Sequence, residues 1–343
     1  SAWAELKEKA ILLETTSISS MFEDSSERSE QFSQEAVGIF LDFSRQHFSR
    51  EIFLTLLSLA DQTHVKAGIQ RMFSGEHINN TEDRAAMHIA LRQPADSPLF
   101  VNHKNIMPEV EIEREKIKLL VDKLQTGQLN GYTGKPITDV INVGVGGSYL
   151  GPLMTTDALT EYRSSKLNLH FVSDAGGIEL SDVLGQVEAD TTLFIICSKS
   201  FKTPETLLNA EFSRDWLYQE GGHLAVKTQF IAISSNRKAM DEFGVAIDKQ
   251  LLLWDWVGGR YSIWSGMGLA LALTIGWDNF EEFLAGAHEM DKHFLEAPIE
   301  TNMPILLALI GIWNCNFLGI GNHAVLPYYH RLRFLPAYFQ QLE

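Results

Sequence analysis

The chain has 343 residues, of which 45% are hydrophobic and 21% charged, the balance of an ordinary globular protein with enough length for two or three domains and a large core. Its formal net charge of −16 argues against nonspecific binding to nucleic acid or to an anionic membrane, since both need basic surface, but a pocket on such a protein can still be locally positive and take a small anion. Two cysteines, Cys197 and Cys315, make neither a disulfide framework nor a zinc spacing, and the eleven histidines show no ligand clustering, so no metal is expected.

The N-terminus, Ser1-Ala-Trp-Ala-Glu-Leu-Lys7, is charged too early for a secretory signal. Cys197 lies in the apolar run Leu193–Cys197 and reads as a buried strand cysteine, which fits a reducing cytoplasm. Residues 1 to about 95 read as helical: Ala36–Phe43 and Glu51–Leu59 repeat apolar residues at helical spacing, and Thr81-Glu82-Asp83 opens a further helix with a cap and first-turn acids. Pro94 to Pro108 is a polar connector, and Glu109 to Leu129 a charged helix.

From Ile137 short apolar runs alternate with helix-sized segments: Asp139–Val143, Leu167–Val172, Thr192–Cys197, Thr228–Ile233 and Gln250–Trp254. That alternation predicts a five-stranded, mostly parallel sheet covered on both faces, a three-layer αβα sandwich. Ligands bind such sheets past the carboxyl ends of the strands, so the loops after the runs are the informative positions. The apolar stretches Ser262–Trp277 and Pro304–Trp313 are too short or too glycine-rich to span a membrane and read as core helices. After Glu281 a new unit begins, with helices near Phe283–Phe294, from Pro304 and from about Arg333, and a strand at His323–Tyr328. The expected division is a helical region over 1–108, an αβα domain over 109–281, and the start of a second sandwich over 282–343.

After the first strand comes Gly144-Val-Gly146-Gly147-Ser148-Tyr149-Leu-Gly151. Small residues there let backbone N–H groups approach a phosphate at a helix start. A dinucleotide fingerprint would want glycine where Tyr149 stands, and Asp174 lies 30 residues beyond Gly144, further than the usual spacing of about 20. The loop after the third strand, Ser198-Lys199-Ser200-Phe-Lys202-Thr203-Pro-Glu-Thr206, crowds hydroxyls and lysines at a strand–helix junction, suited either to phosphate oxygens or to ordinary capping. The third such place is Trp254-Asp-Trp-Val-Gly258-Gly259-Arg260-Tyr-Ser262. A cation where a helix is about to begin is locally unfavourable, so Arg260 either pairs with Asp255 or faces an anionic ligand or transition state. Gln340 and Gln341 lie near the chain end, where a glutamine can reach a sugar hydroxyl or simply be solvated.

Taken together, Val143–Met154, Leu193–Thr206 and Trp254–Ser265 resemble the phosphoglucose isomerase family, as do Thr81–His88, His323–Arg331 and Tyr338–Gln341, in the same order. The resemblance runs from about residue 40 to the end, and Asp255-Trp-Val-Gly-Gly-Arg-Tyr-Ser262 is its most specific part. It implies sugar-isomerase αβα sandwiches, a cytoplasmic homodimer, and interconversion of glucose 6-phosphate and fructose 6-phosphate through a cis-enediol(ate) without any cofactor. It also implies roles: Gly147, Ser148, Ser198, Lys199, Ser200 and Thr203 on the substrate phosphate, Arg260 on the negative charge of the intermediate, and Gln341 in the active site. Tyr149 stands where the family often has Asp, Ser200 where it often has Thr, and Phe171–Gly177 departs from the usual segment. The family's base is a glutamate that follows the Gln341 segment, and this sequence ends at Glu343, two positions short of it, so the resemblance implies an incomplete chain, inactive alone. The competing expectations are a non-catalytic sugar-phosphate-binding module of the same fold, and a nicotinamide-dependent dehydrogenase that the broken glycine pattern disfavours.

Overall fold

The computed structural model describes residues 1–13 and 15–342. The N-terminal part holds α1 (Ala2–Leu13), α2 (Ile18–Glu23), α3 (Arg28–Gln31), the hairpin strands β1 (Ser33–Ala36) and β2 (Ile39–Asp42), α4 (Arg50–Gln62) and α5 (Val65–Phe73). A smaller hairpin follows, β3 (Phe100–Val101) with β4 (Lys104–Asn105), and then α6 (Met107–Gln125). Strands and helices alternate from there: β5 (Asp139–Val143), α7 (Leu150–Ala158), β6 (Asn168–Val172), α8 (Ile178–Leu184), β7 (Thr192–Cys197), α9 (Pro204–Gln229), β8 (Phe230–Ser234), α10 (Arg237–Phe243) and β9 (Gln250–Leu252). After them come α11 (Leu269–Ile275), α12 (Trp277–Glu296), α13 (Met303–Ile312) and α14 (Leu335–Leu342).

Strands β5 to β9 form one wholly parallel sheet in the order β6-β5-β7-β8-β9. Successive side chains on a strand point to opposite faces, and both faces here are apolar. Val140, Leu193, Ile195 and Ile231 pack with Ile117 and Val121 of α6 and with α11. Ile141, Ile196, Phe230 and Ala232 pack with Ala210 and Leu217 of α9 and Met240 of α10. Burial on both sides is why β7 and β8 are buried along their whole length and read as continuous apolar runs. Every residue of α11 is buried, as its uncharged sequence requires. The chain steps from β5 to one neighbour, β6, and then across to the other, β7. That reversal opens a crevice at the carboxyl ends of β5 and β7.

The N-terminal helices have their own core, in which Leu6, Phe32, Phe48 and Leu56 pack with Ile305, Leu309 and Trp313 from α13 and the turn after it. Residues far apart in the chain are thereby joined, and the Trp313 indole N–H donates to His47 O at 2.9 Å. The division expected at residue 281 falls inside α12.

Five local expectations fail. Residues 33–42 form a hairpin rather than a helix through Ala36–Phe43, because Val37 (φ 54°) and Gly38 (φ 72°) supply the two left-handed residues of a tight turn. Thr81–Asp83 opens no helix: Asn79 pairs with Arg84 across it, Asp83 has φ 51°, and helical structure resumes only as the short 3-10 turn His88–Leu91. The connector over 94–108 contains the β3–β4 hairpin. His323–Tyr328 forms no strand. The fifth strand ends at Leu252, ahead of Trp254. Glu343 lies outside the described residues.

Candidate active site

Beyond β5 the chain turns through Gly144 into a one-turn 3-10 helix, Gly146–Ser148. Glycine is required here by close approach. A Cβ on Gly147 would lie 2.4 Å from Gly259 O and 2.6 Å from Arg260 N, and one on Gly146 (φ +57°) would lie 2.5 Å from Gln341 Nε2. Three segments distant in sequence therefore touch at this turn. A buried amide in the middle of β5 pins it from below: Asn142 Nδ2 donates to Ser148 O at 3.1 Å, and Asn142 Oδ1 accepts from Cys197 Sγ at 3.4 Å. Burial pushes the Cys197 thiol well above its ordinary pKa, so it stays a protonated donor.

The loop after β7 is held by its own strain and by its neighbours. Phe201 adopts φ 51°, a left-handed conformation costly for a bulky residue, and its buried ring packs edge-on against Phe243 with centroids 5.6 Å apart. The Ser198 hydroxyl donates to Thr203 Oγ1 at 3.3 Å. Lys199 O accepts from Ser235 N (2.9 Å) and from the hydroxyls of Ser234 and Ser235 (both 2.8 Å). The backbone N–H groups of Lys199 and Ser200 have no internal acceptor among the described residues. Thr203 begins α9 without a side-chain cap. One turn on, Thr206 is 1% exposed, and its hydroxyl has no hydrogen-bond partner.

Lys199, which the resemblance puts on the substrate phosphate, has its side chain engaged by the arginine loop. Its ammonium donates to Asp255 O at 3.2 Å and Val257 O at 2.6 Å. Burial, and then the neighbouring Arg84, hold it below the usual lysine pKa, with Asp255 and Glu82 opposing.

Arg260 stands in the 3-10 turn Gly259–Tyr261. Its Nε donates to Leu342 O at 3.1 Å, and its guanidinium carbon lies 4.8 Å from the centre of the Tyr261 ring. Its own carbonyl accepts from the Tyr338 hydroxyl at 3.2 Å, and burial raises that phenol to about 12. Tyr261 stacks on His88, with centroids 5.0 Å apart and planes 22° apart. Burial first, and Arg92 second, lower His88 to about 4, so it is neutral at physiological pH. The alternative of an Arg260–Asp255 pair is not met; the Asp255 carboxylate lies instead 3.9 Å from Arg84.

These loops surround one cleft of about 630 Å³. Gly147, Ser148, Ser198, Lys199, Ser200 and Thr203 line it, and so do Arg260 and Gln341, so every site residue expected from sequence comes to this one place. The Gln341 Oε1 is buried there without a partner. Sequence reasoning assigned no substrate role to four further lining residues, Glu82, Arg84, Ser235 and Asp255. Arg84 lay inside the Thr81–His88 segment, but nothing in its spacing signalled the cleft; it arrives because Met87 N donates to Trp256 O at 3.0 Å and joins that segment to the arginine loop. No group of histidine, cysteine or acidic side chains able to hold a metal ion occurs among the described residues.

A twisted parallel sheet with hydroxyl- and glycine-rich loops at its carboxyl edge, facing an arginine, defines an α/β protein of the sugar-isomerase fold. The profile of the family described as phosphoglucose isomerase matches residues 42–343, and the chain belongs to that family. Glucose-6-phosphate isomerase of Pseudoalteromonas translucida (strain TAC 125) is 43% identical over 343 residues, all of this chain and 63% of the relative. A crystal structure of a glucose-6-phosphate isomerase from Chlamydia trachomatis superposes with a TM-score of 0.88 at 26% identity, covering 99% of this chain and 64% of that one. A hypothetical protein from Thermus thermophilus shares the fold, with a TM-score of 0.62 at 21% identity over 85% of this chain and 62% of that one. The chain thus spans somewhat under two thirds of the relatives it matches.

Proposed function

We propose that the cleft binds a six-carbon sugar phosphate and that the protein takes part in interconverting glucose 6-phosphate and fructose 6-phosphate. The observation that carries this is the meeting of two hydroxyl- and N–H-rich loops, 146–148 and 198–203, with Arg260 around a single cleft. Gly147, Ser148, Ser198, Ser200, Thr203 and the Lys199 N–H surround the phosphate, whose charge the N-terminal end of α9 also favours. Gln341 meets a sugar hydroxyl.

Moving a carbonyl between C1 and C2 takes a proton from one carbon and returns it to the other, through a cis-enediol(ate) whose charge gathers on oxygen. Arg260, already fixed by Leu342 O and the Tyr261 ring, faces that oxygen and lowers the barrier. The phosphate grip supplies binding energy remote from the reacting carbons, which orients them. The proton-transfer base is a separate requirement. Glu82 and Asp255, the carboxylates among the described lining residues, both lie within 4.0 Å of Arg84. The family resemblance alone supports our placing the base outside the described residues. A cytoplasmic homodimer is the setting that resemblance implies.

A thermal-shift titration with fructose 6-phosphate, with fructose and NAD as controls, tests the reading. A ligand that binds only the folded state raises the melting temperature with concentration. The expected result is a rise with the phosphosugar alone. A rise with NAD would restore the dehydrogenase reading, and no rise with any of the three, on a cooperatively melting sample, would remove the phosphate cradle.

A further inference from the structure

We infer that Lys199 is a positioning residue that couples occupancy of the phosphate loop to the placement of Arg260, not a cation for the phosphate itself. Its backbone belongs to the phosphate loop and is clamped there by three donors from Ser234 and Ser235 on its carbonyl. Its side chain belongs to the arginine loop, where the ammonium holds Asp255 O and Val257 O at 3.2 and 2.6 Å. The carbonyl between those two, Trp256 O, is held by Met87 N at 3.0 Å. Three successive carbonyls of the segment leading to Gly258-Gly259-Arg260 are thus fixed by donors from outside it, and Lys199 supplies two of the three bonds. Those glycines make the segment deformable, and it begins only three residues after Leu252, where β9 ends. Without the ammonium, one exposed and one partly buried carbonyl lose their donor and the arginine is free to drift. A drift of about 1 Å is enough to lower a rate a hundredfold in a site of this kind.

This inference rests on the phosphosugar reading, and its test separates the two. Inorganic phosphate probes the loop alone. A five-carbon aldonic acid 5-phosphate adds a carboxylate where the enediolate charge would gather, and so also probes Arg260. The wild-type protein and Lys199→Met are titrated calorimetrically with both. The wild type is expected to bind both, the aldonate phosphate more tightly. In Lys199→Met phosphate affinity should stay within about twofold, whereas the advantage of the aldonate phosphate should fall at least tenfold. Lys199→Arg, which can donate to two carbonyls, should recover most of that advantage, which a merely structural role would not predict. Should Lys199→Met fail to melt cooperatively, Lys199→Gln is read in its place. Equal weakening of both ligands would make Lys199 a direct phosphate ligand and overturn the inference, as would no change in either. A wild type that binds neither ligand would overturn the phosphosugar reading and the inference with it.

Discussion

Among the described residues Arg260 is steadied by a backbone carbonyl and an aromatic face, contacts that leave its charge available to a ligand in a way a tight carboxylate pair would not. Arg260→Met should weaken binding of an aldonate phosphate roughly tenfold to a hundredfold, the range of a lost charge-assisted hydrogen bond, and leave inorganic phosphate little changed. Lysine should not restore it, because a guanidinium fork and an ammonium are different donors. Thr206 makes a sharper case. A buried hydroxyl without a partner is costly in the empty protein, so Thr206→Val should melt at the same temperature or higher, yet bind inorganic phosphate about tenfold more weakly by calorimetry. Coincident loss of stability and affinity would count against a ligand role. His88 gives a pH signature. Its folded-state pKa of about 4 lies below the ordinary histidine value of 6.5, so between those values the unfolded chain binds more protons and stability rises with pH. Denaturant titrations from pH 7 down to pH 4 should show a loss approaching about 3 kcal/mol from this residue, flattened in His88→Gln. Nothing in the sequence around His88 foretold this, because the burial comes from elements distant in the chain.

Elements show the same contrast between near and far. The runs at 139–143 and 192–197 were legible to the residue, since a strand buried on both faces leaves an uninterrupted apolar run between polar ends. The hairpin over 33–42 was not, because its apolar residues fall at a spacing that also suits a helix, and only the backbone at Val37 and Gly38 decides. Nor was the link between the turn at 88–91 and α12. Arg92 and Asp291 meet in a two-point ion pair, both contacts at 2.6 Å, with the guanidinium carbon 4.3 Å from the Trp264 ring. Both side chains are buried, so removing one charge strands the other. Asp291→Asn should cost about 3–5 kcal/mol in denaturant unfolding, far more than loss of the exposed Lys238–Glu242 pair, whose removal should lie within about 1 kcal/mol. Equal effects would mean the buried pair is not what joins these elements.

At the scale of the whole molecule, a crossover between neighbouring strands sets the site. The order β6-β5-β7-β8-β9 places the loops after β5 and β7 side by side, and the loop after β9 closes over them through Lys199. The parallel sheet and the family were legible in the sequence, and the eight expected site residues gather at one cleft, because strand-end loops carry their own composition. Arg84, Glu82 and Asp255 were not legible as neighbours of those loops, since that adjacency depends on hydrogen bonds between segments far apart in the chain, such as Met87 N to Trp256 O. A crystal structure of the protein with fructose 6-phosphate is the most direct test of the account. It should show the phosphate between residues 146–148 and 198–203, the C1–C2 end within hydrogen-bond reach of the Arg260 guanidinium, and the Lys199 ammonium still on Asp255 O and Val257 O. A phosphate held by Arg84 or Arg260, with the sugar reversed in the cleft, would contradict it.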